Sequence, residues 1–404
     1  MVTLIGLSWV GWFYPASRLG FRGVSKEVHC EADEPSKFTT LAEHTSKAYH
    51  SSVAVHRQCL LRQNLSIFWD KTMRPPTTLQ ELINCILRSG LLSPDQLRCL
   101  HEDATPRFVD QPQAAVEYLV QSGLLTPYQA GKILRGVTAG LSFGPFRIRT
   151  LIGRGSVGQV YEALDTRTNL ICALKVLPPS RSATDSNVQR RFRREMLLAS
   201  IPAHPHVATA REIGRQDGID YLVMNRLEGC DLETRVVRQG PLSMEQLMLL
   251  LRGASAGLAH LHANRIIHRD VAPTNLVVAD IGHTTVIDLG LALRFEEAEA
   301  TAPPSGQTVG TAGYIAPEQI RNALAVSDRS DVYALACCLF LAATGQEPFP
   351  GDEPERFQKQ LEHPKPDLAV IPQPIFRQLL SRMFSPEPQH RPSAQELLEF
   401  QATD

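Results

Sequence analysis

The stretch from Gly153 to Lys175 constrains this chain more than any other. Gly153-Arg154-Gly155-Ser156-Val157-Gly158-Gln159-Val160 reads G-x-G-x-x-G-x-V. Glycines let backbone N–H groups approach a phosphate without interference from a Cβ. The spacing alone is ambiguous, because dinucleotide-binding chains use a similar run. In those chains a helix follows at once and an acid stands some 20 residues on. Here Val160-Tyr161-Glu162-Ala163 continues as strand, and the residue seventeen positions after Gly158 is Lys175, a base. A glycine turn between two strands, followed by a strand carrying a lysine, excludes the dinucleotide reading.

Further chemistry follows in a fixed order. His268-Arg269-Asp270-Val271-Ala272-Pro273-Thr274-Asn275 reads H-R-D-x-x-x-x-N, Asp288-Leu289-Gly290 stands in a D-x-G pattern, and Gly310–Glu318 reads G-T-x-x-Y-x-A-P-E. Asp331 opens an apolar run, and Arg391 lies in His390-Arg391-Pro392. With Cys172-Ala173-Leu174-Lys175 as the counterpart of a V-A-I-K strand, the series resembles the bacterial, eukaryotic-like Ser/Thr protein kinases over about residues 144–400. Strand candidates at Phe146–Gly153, Gln159–Ala163 and Ile171–Leu177 precede a helix-rich remainder, so an α+β, two-lobed architecture is expected, with a β-rich N-lobe and a helical C-lobe.

The resemblance implies a role for each residue. Phosphoryl transfer is mostly positioning and charge stabilisation. Lys175 is expected on the α- and β-phosphates of ATP, with Glu195 as its carboxylate partner. Asp288 and Asn275 offer the hard oxygens that Mg²⁺ prefers. Asp270 is expected to accept or orient the substrate hydroxyl proton. Ile152, Gly153, Gly155 and Gly158 belong to the phosphate loop. Val160 and Ala173 should cap the adenine from above and Val277 from below. Tyr221–Leu227 is expected as the hinge between lobes, with Met224 and Leu227 on the base and Asp231 near the ribose. His268 is expected to be structural, and Arg391 to pair with Glu318.

Two departures matter. Ser/Thr kinases usually carry Lys two positions after the catalytic Asp, where this chain has Ala272; tyrosine kinases carry Arg four positions after, where it has Thr274. Losing one preorganised donor at a transition state costs ~10²–10³ in rate. The expected function is a Ser/Thr protein kinase acting on protein hydroxyls, its own activation loop among them; the alternative is an ATP-binding pseudokinase scaffold. The segment Asp288–Glu318 contains Thr301, Ser305, Thr308 and Thr311. Thr308 is the expected phosphorylation site, with Arg269 as the partner of its phosphate. Glu296, Glu297 and Glu299 could pair with Arg269 instead. Thr311 is expected as a fixed contact to Asp270.

Upstream lies a repeat. Thr78-Leu79-Gln80-Glu81 reads as a capping box, Leu79, Leu82, Ile83, Ile86 and Leu87 fall at helical spacing, and Gly90 is a helix stop. Ser89–Gln96 (SGLLSPDQ) matches Ser122–Gln129 (SGLLTPYQ) 33 residues later. Two helix–turn–helix copies are expected over 77–136, as a bundle packed on its neighbour or as a docking module for a protein partner. Residues 1–72 show no sustained period and are expected to be a flexible arm, or to precede a true start at Met73.

Composition closes other routes. Lys+Arg is 41 against Asp+Glu 42, so nothing points to nucleic acid. No C-x-x-C pair occurs among the eight cysteines, and Cys337-Cys338 sit in an apolar run that suggests buried thiols. The apolar stretch Val332–Ala343 is shorter than the ~20 residues a membrane span needs. Met1–Ala16 lacks a basic start and is broken by Gly6, Gly11 and Pro15. A cytoplasmic protein is expected.

Overall fold

The first described helix shows how closely local sequence sets the fold. In α1 (Leu79–Ser89) the apolar side chains Leu79, Leu82, Ile83 and Ile86 are buried on one face, and Gly90 ends it at φ 67°. Only a residue without Cβ adopts that conformation freely. The cap differs from the expected box. The Thr78 hydroxyl accepts from Glu81 N, but the Glu81 carboxylate reaches back to Thr77 N and Oγ1 (2.7 and 2.8 Å). Thr77 supplies two donors to that carboxylate, where a box would use the single N–H of Thr78.

A computed structural model of the chain describes residues 74–98, 108, 111–154, 158–177, 192, 194–196, 198, 201–216, 218–294 and 310–400. The expectations for 1–72, Gly155, Glu296, Glu297, Glu299, Thr301, Ser305 and Thr308 lie outside these residues.

Helical residues 94–98 follow α1, then α2 (Pro112–Gln121) and α3 (Pro127–Ile133). The two repeat copies build the same start. Ser93 and Gln96 bond reciprocally, as do Thr126 and Gln129. Leu82, Ile86, Leu119, Leu125 and Ile133 form one core that also takes in Leu141.

Next comes a six-stranded antiparallel sheet. Its strands are β1 (Ser142–Phe143), β2 (Phe146–Arg154), β3 (Gln159–Asp165), β4 (Leu170–Val176), β5 (Ala210–Gln216) and β6 (Ile219–Asn225), in spatial order β1-β2-β3-β4-β6-β5. Residues 172–176 of the central β4 are all buried, whereas the edge strand β5 alternates between half-buried and exposed positions. That contrast separates a two-sided strand from a one-sided one. β2 carries two bulges. Ile148 pairs with Ala163 and Thr150 with Glu162, which leaves Arg149 without a partner; Ile152 is skipped in the same way.

Among the described residues the second lobe is helical, apart from three small strand pairings. These join β7 (Cys230–Asp231), β9 (Leu276–Val278) and β10 (Thr284–Val286), and β8 (Ile266–Ile267) with β11 (Leu293–Arg294). Its helices are α4 (Leu232–Gln239), α5 (Met244–Ala263), α6 (Pro317–Arg321), α7 (Asp328–Thr344), α8 (Glu353–Glu362), α9 (Pro374–Met383) and α10 (Ala394–Leu398). Residues 330–342 of α7 are buried on every side, Cys337 and Cys338 among them. A helix apolar all round belongs in the middle of a core, and α7 is the centre of the largest apolar cluster. Among the described residues no helix is long and apolar enough to cross a membrane. The two-lobed α+β architecture is as expected. One boundary differs, because β6 runs on to Asn225. Most of the expected hinge Tyr221–Leu227 is therefore strand, and only Arg226 and Leu227 lie beyond it.

Candidate active site

β4 ends in the residue on which the site is centred. Lys175 is 1% exposed, and its ammonium lies 2.6 and 2.8 Å from the two carboxylate oxygens of Glu195 and 3.5 Å from Asp288 Oδ1. Glu195 arrives on the helical residues 194–196. Burial alone would lower the Lys175 ammonium, but the carboxylates of Asp288 and Glu195 outweigh it and hold the group above its ordinary range. Lys175 and Glu195 are buried and Asp288 half-buried beside them. Burial pushes the Glu195 carboxyl up, to about 7, with Asp288 adding to the rise and Lys175 opposing it.

Asp288 sits at φ 64°, left-handed backbone that few non-glycine residues adopt, and accepts from Gly290 N (3.1 Å). Strain of this kind persists where surroundings over-determine it and gathers at functional positions.

The Asp270 loop is held from behind. Asp331, 1% exposed at the start of α7, accepts from His268 N and Arg269 N (both 2.9 Å) and contacts His262 Nε2 at 2.8 Å. His268 Nδ1 accepts from Asp270 N (3.3 Å), so its other nitrogen carries the proton toward Ile287 O (3.0 Å). Both ring nitrogens are thereby committed to backbone, which makes His268 a strut. The Asp270 carboxylate accepts from Thr311 Oγ1 (2.7 Å) and from Asn275 Nδ2 (3.1 Å). Asn275 Nδ2 also bonds Asp270 O at 2.7 Å, and Ala272 O accepts from Asn275 N. Asn275 Oδ1 remains buried without a hydrogen-bond partner. A buried amide oxygen of that kind costs free energy unless something positive meets it.

The remaining predicted residues gather above and beside this floor. Val160, Ala173 and Met224 form one buried apolar cluster. Val277 on β9 and Leu227 beyond β6 are half-buried. Gly158 closes the glycine turn where a Cβ would stand 2.5 Å from Val176 O, so no larger residue fits. Ile152 is 38% exposed at its bulge, next to Gly153. Asp231 caps α4, its two oxygens accepting from Thr234 N and Oγ1 (2.8 and 2.7 Å). Arg391 grips Glu318 through both nitrogens (2.6 and 2.8 Å). Arg269 is 6% exposed with its Nε unpartnered; burial, then the neighbouring Arg194, pushes its guanidinium down to about 10.

The Protein kinase domain family matches residues 146–401. The chain belongs to the bacterial, eukaryotic-like Ser/Thr protein kinase family. It is 37% identical over 214 residues to the serine/threonine-protein kinase PknE of Mycobacterium tuberculosis, covering 53% of this chain and 37% of that protein. It is 36% identical over 218 residues to PknD of the same species, covering 54% and 32%. Against PrkC of Bacillus subtilis it is 34% identical over 209 residues, covering 52% and 32%. The chain spans about a third of the length of the curated relatives it matches.

Sequence reasoning missed three participants in this kinase domain. Glu162 on β3 accepts from Arg149 of β2 (3.3 Å) and from Arg226 just past β6 (3.2 Å). Glu162 lies directly opposite Ala173 and two residues along the strand from Val160, so this charged bridge borders the apolar cluster. A lone charge, Glu162, amid the uncharged residues 159–164 of β3 was the available signal, but it names no partners.

Proposed function

We propose that the chain is a Ser/Thr protein kinase that transfers the γ-phosphate of ATP to protein hydroxyls, those of its own activation segment included. The Lys175–Glu195–Asp288 cluster carries this reading. Its Asp288 carboxylate, together with the partnerless Asn275 Oδ1, offers hard oxygens for a cation. Among the described residues no three His, Cys, Asp or Glu side chains converge on a metal. Mg²⁺ is instead commonly held by one or two protein oxygens plus substrate phosphates, and Asp288 and Asn275 fit that donor set. When bound, it supplies charge neutralisation at the β- and γ-phosphates.

In this reading Lys175 binds the α- and β-phosphates and Glu195 aims it. The Val160–Ala173–Met224 cluster and Val277 take the base between them. Asp270, oriented by Thr311 and Asn275, accepts the proton from the attacking hydroxyl. Thr308 is the first candidate for self-modification, with the buried Arg269 as the charge that would meet its phosphate.

Ala272 favours a second reading. No side-chain cation stands at this position of the Asp270 loop, which would leave a nucleotide-binding scaffold with slow or no transfer. Incubation with Mg²⁺ and γ-labelled ATP separates the two. Label that needs Asp270, absent in Asp270→Asn, and that maps between Asp288 and Glu318 supports the kinase. No label together with thermal stabilisation by ATP supports the scaffold, and neither label nor stabilisation would sink both.

A further inference from the structure

The bulge at Arg149 is where the helical module meets the kinase lobe. Because the bulge takes Arg149 out of the β2–β3 ladder, its carbonyl is free for another donor. The Thr126 hydroxyl fills that role, and Gln129 Nε2 donates to the adjacent Ile148 O at 2.6 Å. Those two side chains are also the capping box of α3. The Thr126 hydroxyl accepts from Gln129 N (3.2 Å), and Gln129 Oε1 accepts from Thr126 N (2.7 Å). One reciprocal pair therefore starts a helix and seats it on a strand. Ile148 N in turn donates to Leu141 O (2.9 Å), and Leu141 belongs to the module core. On the far side of the bulge, the Arg149 side chain bonds Glu162, and Glu162 bonds Arg226.

These bonds form an unbroken chain from the module to the edge of the proposed adenine pocket. We propose that Thr126 and Gln129 are positioning residues for the nucleotide site. They hold the β2 bulge so that Arg149 orients Glu162, and Glu162 fixes Arg226 against the rim formed by Ala173 and Leu227. This inference rests on the nucleotide-binding reading above. A module that merely packed on the lobe would need only its apolar core. The observation that goes beyond packing is that both hydrogen-bonding side chains of the second copy end on the two backbone carbonyls flanking one bulge. The matching residues of the first copy, Ser93 and Gln96, bond one another.

The link includes a partly exposed ion pair, with Arg149 40% and Arg226 36% exposed. Salt screens such pairs, which gives the proposal a signature that packing lacks. The test is calorimetric titration of the 404-residue chain with ATP and Mg²⁺, for the parent, Thr126→Val, Gln129→Met, Thr126→Ser and Glu162→Gln. Each hydrogen bond is modest in net worth, so Thr126→Val and Gln129→Met should each weaken ATP binding about three- to tenfold at low salt. Thr126→Ser should restore it. Glu162→Gln leaves the module contacts intact yet should weaken binding similarly. In that background Thr126→Val should add nothing, because the path is already cut. Raised ionic strength should shrink the Thr126→Val effect. Parent-like affinity in a folded Thr126→Val and Gln129→Met would overturn the proposal, as would simple additivity with Glu162→Gln. If the parent itself bound no ATP, the nucleotide-site reading would fall first, and this inference with it.

Discussion

Replacing Arg391 with Met should strip the kinase domain of its most heavily bonded buried side chain. Arg391 is the largest of the fully buried side chains, at 1% exposure. Its nitrogens hold both Glu318 oxygens (2.6 and 2.8 Å), Ser385 O (2.8 Å), Arg329 O (3.1 Å) and Pro386 O (3.3 Å). The guanidinium also lies 5.0 Å from the centre of the Tyr333 ring. Methionine fills much of the volume but leaves the Glu318 carboxylate with the Ser330 hydroxyl (2.9 Å) in place of two charged donors. Removing one partner of a buried pair costs about 3–5 kcal/mol, because the other charge stays behind uncompensated. For a domain of this size each kcal/mol lowers Tm by about 2–4 °C, so a fall of about 6–20 °C is expected. Urea unfolding followed by circular dichroism, alongside calorimetry, would measure it. Glu318→Gln in the Arg391→Met background should recover part of the loss by removing the stranded charge. Arg391→Lys should fall between, since an ammonium cannot make the two-pronged contact. A loss below about 1 kcal/mol, the range of exposed pairs, would refute the reasoning. So would a further loss on adding Glu318→Gln.

Two further outcomes follow from the site. If the missing cation limits the reaction, Ala272→Lys should raise kcat by about 10²–10³ with little change in KM for ATP; a folded variant with parent-like kcat would dismiss that account. Glu195 is raised to about 7 by burial first and Asp288 second, against Lys175. A carboxyl raised on folding gives stability that is full below its unfolded value and fades as pH climbs through the folded one. The ligand-free chain should therefore lose stability between about pH 4.5 and about pH 7, and Glu195→Gln should flatten that slope. An unchanged slope in Glu195→Gln would assign it to other groups.

How much of this was legible in the sequence depended on the range of the interaction. Helix starts and stops are local, so Gly90 and the Ser93 and Thr126 caps could be read directly from residue type. Even so, Glu81 chose Thr77 over Thr78, because two donors outweigh one. The candidate site residues were singled out through family resemblance, which fixes their order and spacing. The Lys175–Glu195 contact joins residues far apart in sequence, and nothing but the resemblance selected Glu195. Bulges were not legible. Whether β2 skips Arg149 is decided by pairing with β3 and by what docks on the freed carbonyl, and neither is written in the strand itself. For the same reason the T-P-x-Q box was readable as a helix start but not as a hand on the neighbouring lobe.

The geometry of the Asp270 loop shows what holds it in shape around Ala272. Bonds that shape the loop come from backbone and from other side chains: Asp331 takes His268 N and Arg269 N, His268 takes Asp270 N, and Asn275 donates to Asp270 O. At position 272 the loop's hydrogen bonding uses the carbonyl, which accepts from Asn275 N, while the Ala272 methyl is fully buried in the large apolar cluster. The bonds that set Asp270 and Asn275 therefore do not pass through the side chain at 272. Alanine there leaves the loop without a side-chain cation and packs its methyl into the core instead. The loop's bonds and its charge are thus carried by different residues, the bonds above all by Asp331, where a single carboxylate holds two successive N–H groups of the loop and His262 as well. Ala272→Lys must carry a longer, charged side chain out of that buried site, so its kcat reports charge where its Tm stays at the parent's value.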